Sequence, residues 1–154
     1  MRLSDMAPGD SPLEAFAEQM RLLQRECAWK REQTHTSLIP YVREEAEEVV
    51  EAIESGDPAA LCDELGDLLL QVVIHAVIAE EAGHFTLDDV ARGVMAKMER
   101  RNPHVFGDAV AHDVAEVMAL YDAAKAAEKA EKAEKAEKAA AAPAADQATG
   151  PDPQ

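Results

Sequence analysis

The chain of 154 residues has few cysteines and no long apolar run. Its two cysteines, Cys27 and Cys62, are too few for a disulfide framework or a cysteine-based metal site, so we expect a reducing, cytoplasmic setting. The longest apolar stretch, residues 65–79, is interrupted by three polar residues, whereas a membrane-spanning helix needs about 20 mostly apolar ones. The N-terminus lacks a basic segment followed by an apolar run, so we expect neither a secretory signal nor a membrane partner.

Basic residues are also scarce, with 15 Lys and Arg against 31 Asp and Glu, for a formal net charge of -16. A nucleic-acid backbone is therefore excluded as the main partner, because binding it requires a basic face. The acidic excess lies before residue 125, and residues 44–67 alone contain ten carboxylates and no basic residue. Such a segment destabilises a compact chain unless most of its carboxylates are solvated or some are neutralised by bound cations.

Strand-type alternation is absent over any useful length, which indicates an all-α fold of about one domain's size. We expect a small bundle of four to five helices, with residues 1–12 as a mobile leader and residues 13–124 as the folded domain. Residues 125–154 read as a low-complexity Ala/Glu/Lys helical extension followed by a disordered tail. The helices are predicted near residues 12–23, 36–54, 58–81, 87–101 and 113–121.

Helical phase separates two groups of glutamates on the second of these helices. At about 100° per residue, Glu45 falls inside the apolar face and Glu48 at its edge. The other glutamates of this segment lie on the opposite side, where a solvated acidic face explains them: Glu44, Glu47, Glu51 and Glu54. Solvation does not explain Glu45, because an ionised carboxylate that faces a core is costly unless it is paired or bound to a metal.

The third predicted helix is apolar nearly all round but carries a polar stripe. Glu64 and Asp67 begin this stripe one turn apart, and Gln71 and His75 continue it. A short SGDP turn joins this helix to the second helix, so the two acidic pairs can meet. Four clustered carboxylates cannot all stay ionised without compensating charge, and all-oxygen ligands favour Mg²⁺ or Mn²⁺ over Zn²⁺. The alternative is that Glu45 and Asp67 pair with arginines or cap backbone groups.

Two basic residues and one aromatic residue are candidates for binding a substrate. Lys97 and Arg101 are spaced i, i+4 on the fourth predicted helix, which suits a phosphate clamp, although salt bridges to the acidic helices would explain them equally simply. Trp29 lies in an expected break between helices, where it either stacks on a base or covers the core. His75, on the polar stripe of the third helix, fits a hydrogen-bonded core histidine better than a ligand.

The segments CAWKREQT, EEAEE, DELGDLLLQVVIHA and KMERRNPHVFGD follow one another along the chain. Together they resemble the MazG family of nucleoside triphosphate pyrophosphohydrolases, within the all-α NTP pyrophosphatase superfamily. The resemblance extends from Leu13 to Lys125, and its order and spacing make it specific.

This resemblance implies Mg²⁺-dependent hydrolysis of a nucleoside triphosphate to the monophosphate and pyrophosphate. The family's EExxE and ExxD motifs place the metal-binding and catalytic carboxylates at Glu45, Glu48, Glu64 and Asp67. Its nucleotide-contacting residues match Lys97, Arg101, Tyr121 and Lys125. The family usually has tryptophan where Tyr121 stands, and its first motif commonly reads CPWDKEQT where this chain has CAWKREQT.

We therefore expect an enzyme that acts on nucleoside triphosphates, with nucleotide-pool housecleaning as the role that the family implies. Because the bundle is small and its third helix is apolar on nearly every side, we expect a homodimer or a higher homo-oligomer. Two alternatives stay open. One is an enzyme of the same superfamily with a narrower substrate, such as dUTP or phosphoribosyl-ATP, and the other is a non-catalytic acidic helical interaction module.

Overall fold

The computed structural model describes residue 7 and residues 9–141, with side chains described as far as residue 138. Most of the expected leader and most of the expected disordered tail lie outside these residues. The described part of the chain is entirely helical in its regular structure, which confirms the all-α prediction. Its helices are α1 (Pro12–Glu26), α2 (Ala28–Arg31), α3 (Ile39–Ser55), α4 (Pro58–Glu81), α5 (Leu87–Arg101), α6 (Pro103–Phe106) and α7 (Val114–Ala141).

The described chain thus has seven helices, and the prediction of four to five was wrong in number. Both additional helices, α2 and α6, are four residues long and lie where the sequence analysis expected breaks. Pro103 begins α6, where its fixed backbone angle favours a helical first turn. Four residues make about one turn, so neither segment is long enough to show a helical repeat of apolar positions.

The turn between α3 and α4 is fixed by local signals. Gly56 ends α3 with a positive φ of 70°, a conformation that costs glycine little. The Asp57 side chain then accepts a hydrogen bond of 2.9 Å from the backbone N–H of Ala59 and caps α4, whose first residue is Pro58. This short connection makes α3 and α4 neighbouring helices and brings their acidic residues to one place.

The chain is divided into two compact units, and the boundary between them lies after Gly93 within α5. In the first unit, α4 packs against both α1 and α3 around a buried apolar cluster. The members of this core are Ala17, Met20, Leu38, Val73, Ile74 and Val77. Three of them belong to α4, which agrees with its apolar sequence.

In the second unit, α7 continues without interruption through the Ala/Glu/Lys repeat as far as Ala141. Exposed ion pairs at i, i+4 support the repeat, including Glu131 with Lys135 at 2.6 Å. Such pairs stabilise a helix by only about 0.2–0.5 kcal/mol each, so they add to helix propensity without forming a core. No helix within the described residues is both long and apolar enough to cross a membrane.

Candidate metal centre

Three glutamates converge between α3 and α4. Glu45 and Glu48 lie one turn apart on α3, and Glu64 lies on the first half of α4. One carboxylate oxygen from each residue lies within 4.8 Å of the corresponding oxygens of the other two. We call these three residues the carboxylate triad. Each is partly buried, whereas Glu44 and Glu47 are exposed, as helical phase predicts.

Asp67, the fourth predicted ligand, lies next to the triad without joining it. It is exposed, and its carboxylate is not among the oxygens that lie within 4.8 Å of one another. Its negative charge nevertheless raises the pKa of both Glu45 and Glu64. Asp67 therefore borders the site, and its role as a ligand stays a prediction.

Like charges and partial burial make the triad a site of unfavourable negative charge. Partial burial is the largest cause of the raised pKa of Glu45, followed by the charges of Asp67 and Glu48. The pKa of Glu64 is also raised by partial burial first, and then by neighbouring carboxylates of which Glu48 is the strongest. Both shifts mean that the folded protein favours a bound proton, or another bound cation, at this place.

Gln71 extends the site along α4. Its side chain is 5% exposed, and its Nε2 group donates a hydrogen bond of 3.4 Å to Oε1 of Glu45. Its own side-chain oxygen is buried and has no hydrogen-bond partner in the described chain. Sequence analysis placed Gln71 on the polar stripe of the third helix but gave it no function. An unpartnered buried oxygen costs free energy, so it is expected to serve a ligand or water.

The triad opens to solvent through a hollow of about 280 Å³ between α3 and α4. Its lining includes Glu48 and Glu64 together with small side chains from both helices, such as Ala52 and Ala60. Residues with short side chains at these positions leave the carboxylates accessible from outside. An ion, or a group attached to an ion, can therefore reach the triad without unfolding the hairpin.

The donor set fits a hard divalent cation. All three triad ligands are carboxylate oxygens, and no other trio of His, Cys, Asp or Glu side chains in the described chain comes as close together. Mg²⁺ and Mn²⁺ prefer such oxygen ligands, whereas Zn²⁺ sites usually include histidine or cysteine. The raised pKa values of Glu45 and Glu64 add a reason for a cation to bind, because it would relieve their mutual repulsion.

The predicted nucleotide-contacting residues lie in the second unit. The Nη1 group of Arg101 donates a hydrogen bond of 2.9 Å to the hydroxyl of Tyr121, and its guanidinium carbon lies 5.2 Å from the Tyr121 ring centroid. The structure thus brings these two residues together. Arg101 also forms an ion pair of 2.7 Å with Glu128 on α7. Lys97 is partly buried on α5, and Lys125 is exposed on α7.

Trp29 is not in a break but on the short helix α2. Its ring packs edge-on against Tyr41 with the ring centroids 6.2 Å apart, and 47% of the residue is exposed. Trp29 is absent from the buried apolar core of the first unit. Its exposed surface leaves room for a stacked base, which keeps substrate binding as a prediction.

His75 pairs with another histidine. Its Nδ1 atom lies 2.8 Å from Nδ1 of His35, and the two rings are stacked with an interplanar angle of 8°. Partial burial lowers the pKa of His75, and the neighbouring His35 lowers it further. This contact agrees with the interpretation of His75 as a hydrogen-bonded histidine.

The four predicted carboxylates lie in a segment that known proteins share. Residues 33–106 match the family model described as the MazG nucleotide pyrophosphohydrolase domain. This part of the chain is similar to the MazG family. The chain is 54% identical over 83 residues to a nucleoside triphosphate pyrophosphohydrolase/pyrophosphatase MazG of Thermotoga maritima, covering 54% of this chain and 32% of that protein.

Other relatives show a similar resemblance. The chain is 44% identical over 99 residues to a nucleoside triphosphate pyrophosphohydrolase of Escherichia coli K12, covering 64% of this chain and 38% of the relative. The crystal structure of a mazG-related protein from Thermotoga maritima superposes with a TM-score of 0.63 at 26% identity, covering 73% of this chain and 97% of that one. The chain spans less than half the length of these two named enzymes.

Proposed function

We propose that this protein is a Mg²⁺-dependent nucleoside triphosphate pyrophosphohydrolase, which converts a nucleoside triphosphate and water into the monophosphate and pyrophosphate. The observation that carries the proposal is the carboxylate triad, whose oxygens approach within 4.8 Å of one another. Neighbouring carboxylates with raised pKa values are costly for a fold and are expected where a cation binds.

In this proposal the cation ligands are Glu45, Glu48, Glu64 and Asp67. Bound Mg²⁺ supplies positive charge that polarises a phosphate oxygen and lowers the pKa of a coordinated water. A carboxylate of this set would accept the proton of the attacking water. Gln71 supports Glu45 through its hydrogen bond and keeps that carboxylate oriented.

The substrate contacts in this proposal are assigned to Lys97, Arg101, Tyr121, Lys125 and Trp29. The cationic groups offset the negative charge of the phosphates, and arginine can do so with paired hydrogen bonds. Tyr121 and Trp29 provide aromatic faces for the base. These roles come from the family resemblance. The exposed surface of Trp29 supports its proposed role in stacking on the base.

We further propose a cytoplasmic homodimer or higher homo-oligomer that removes non-canonical or surplus nucleotides. Several apolar side chains of helix α4 are exposed in the single chain, namely Leu65, Leu69 and Val72. Their exposure on a largely apolar helix supports burial by a second copy. The housecleaning role rests on the family alone.

The decisive experiment measures pyrophosphate release from a panel of common and damaged nucleoside triphosphates, dUTP and phosphoribosyl-ATP, with and without Mg²⁺. Glu45→Gln should remove most of the turnover, because it takes one charged ligand from the triad. Glu44→Gln is the matched control, since Glu44 is the exposed neighbour on the same helix. Turnover restricted to one nucleotide would indicate a narrower enzyme, and no metal-dependent turnover would favour a non-catalytic interaction module.

A further inference from the structure

Glu128 uses both of its carboxylate oxygens on arginines of α5. Its Oε1 accepts a hydrogen bond of 3.0 Å from Nη2 of Arg100. Its Oε2 accepts two from Arg101, one of 2.7 Å from Nη2 and one of 3.2 Å from Nε. The side chains of Glu128 and Arg101 are only 11% and 14% exposed, so this ion pair is shielded from water.

Tyr121 completes the constraint on Arg101. A guanidinium has five N–H donors in one plane, and here each of its three nitrogens makes a hydrogen bond. With Nε and Nη2 held by Glu128 and Nη1 held by Tyr121, the plane cannot rotate without breaking a contact. Two N–H groups, one on Nη1 and one on Nη2, take no part in these contacts, so Arg101 keeps donors for a phosphate.

We propose that Glu128 is a positioning residue, which holds the guanidinium of Arg101 in the orientation that binds a substrate phosphate. The proposal rests on the proposed function, in which Arg101 contacts the triphosphate. Glu128 is the first glutamate of the Ala/Glu/Lys repeat, whose composition predicts only a solvated extension. Its contacts distinguish it from Glu131, which is exposed and pairs with Lys135 inside the repeat.

The contrary role for Glu128 is that of a competitor, which occupies Arg101 until a phosphate displaces it. Displacement would break both hydrogen bonds to Oε2 of the shielded carboxylate and leave only Arg100 to compensate its charge, which is unfavourable. Positioning requires no such loss, because two N–H groups of Arg101 are still available. The hydrogen bonds from Arg101 lower the pKa of Glu128, so the carboxylate stays ionised at neutral pH and can hold the arginine there.

The test compares Glu128→Gln with Glu131→Gln in the full chain. Calorimetry measures the affinity for inorganic tripolyphosphate, and pyrophosphate release measures kcat and KM separately. We expect Glu128→Gln to weaken tripolyphosphate binding and to lower kcat/KM, mainly through KM, by about 10- to 100-fold. Glu131→Gln should match the wild type in every measurement.

A double-mutant cycle with Arg101→Gln separates positioning from a general structural role. If Glu128 acts through Arg101, adding Glu128→Gln to Arg101→Gln should cause no further loss of binding. Additive losses, unchanged binding in Glu128→Gln, or tighter binding in that variant would each overturn the proposal. If Glu128→Gln lowers the melting temperature sharply, Glu128→Asp, which keeps the charge, replaces it in the same cycle.

The binding measurement also separates this proposal from the proposed function. A wild-type protein that binds tripolyphosphate but releases no pyrophosphate from any nucleotide would refute the proposed function and leave the role of Glu128 testable. A wild-type protein that binds no tripolyphosphate would refute the positioning role itself.

Discussion

Two charged regions of this protein differ in whether neighbouring side chains compensate the charges of their carboxylates. In the α3–α4 hairpin, the carboxylate triad brings three acidic side chains together, and neutral Gln71 donates a side-chain hydrogen bond to Glu45. In the second unit, the acidic Glu128 lies between Arg100 and Arg101, so opposite charges compensate one another. Partial burial and neighbouring carboxylates raise the pKa of Glu45 and Glu64, whereas the arginines lower that of Glu128.

This difference shows which region needs something from outside the chain. A carboxylate between arginines is stable as it stands, and it restricts the arginines' motion. Carboxylates facing one another are stable only with a proton or a cation between them. The hairpin is therefore where we expect a ligand to contribute to folding free energy, and the arginine contacts are where we expect rigidity.

The largest expected effect comes from giving the triad the compensation that Glu128 already has. Glu48→Lys places a cation beside Glu45 and Glu64, where the open hollow can accommodate the longer side chain. Pyrophosphate release should fall by about 1,000-fold, because the lysine excludes the metal. The reaction then lacks the several kcal/mol of charge stabilisation that the metal supplies. The melting temperature of the metal-free protein should rise. Glu47→Lys, at the exposed neighbouring position, should change neither property greatly.

A smaller effect is expected from removing a proposed phosphate contact in the second unit. Lys97→Met keeps the length of the side chain and removes its charge, which should raise KM by about 10- to 100-fold if Lys97 binds phosphate. Steady-state kinetics checks this value, with Lys129→Met as the control because Lys129 is exposed on α7. An unchanged KM would contradict phosphate binding by Lys97 and would leave Arg101 as the proposed phosphate contact on α5.

Gln71→Leu tests whether the hydrogen bond from the neutral Gln71 side chain to Glu45 strengthens metal binding at the triad. Losing the hydrogen bond to Glu45 should weaken Mg²⁺ or Mn²⁺ binding by about tenfold, as is usual for residues that orient metal ligands. Titration with Mn²⁺ monitored by electron paramagnetic resonance would measure the change. Gln24→Leu is a suitable control, since Gln24 is equally buried and also has an unpartnered side-chain oxygen, but lies on α1. Equal losses in both variants would contradict a specific role for Gln71.

The smallest effect concerns stability and pH. The pKa of Glu64 is raised in the folded state, so the folded chain binds a proton at the Glu64 carboxylate more tightly than the unfolded chain does. The stability that this bound proton contributes is fully present below the ordinary pKa of glutamate. It is lost as the pH rises through the raised pKa of Glu64. In EDTA, the melting temperature of the wild type should therefore fall over this range, and Glu64→Gln should reduce that fall.

Magnesium provides the check on that result. Adding Mg²⁺ near neutral pH should raise the melting temperature of the wild type and have little effect on Glu64→Gln, because the variant lacks one ligand. Glu54→Gln, an exposed change on the same hairpin, should behave like the wild type. If the melting temperature of the wild type responded to neither pH nor Mg²⁺, the expected need of the carboxylate triad for a bound cation would be refuted. The triad would then not differ in this respect from the ion pairs of Glu128.

Much of the candidate site could be predicted from local sequence signals. The spacing of apolar residues on the second predicted helix distinguishes Glu45 and Glu48 from their exposed neighbours, and the structure gives both partial burial. The SGDP turn predicts a tight hairpin, and Gly56 and Asp57 form its helix end and cap. Periodicity and capping act over a few residues, which is why the sequence reveals them.

Other features depended on contacts between distant parts of the chain. Gln71 reaches Glu45 from 26 positions away, and Glu128 reaches Arg101 from 27 positions away. No local pattern connects such residues, and in a repeat of similar glutamates nothing marks Glu128 as the one that meets α5. The helices α2 and α6 were also missed, because one turn is too short to have a period.

The sequence by itself determined the all-α class, the acidic hairpin and the resemblance to a family, because these depend on composition, short-range periodicity and the order of motifs. Only the tertiary structure decided that Asp67 lies outside the triad, that the side-chain oxygen of Gln71 has no partner in the described chain and that Glu128 constrains Arg101. The physical reason is that packing brings distant side chains within hydrogen-bond distance, and the cost of uncompensated charge appears only after they have met.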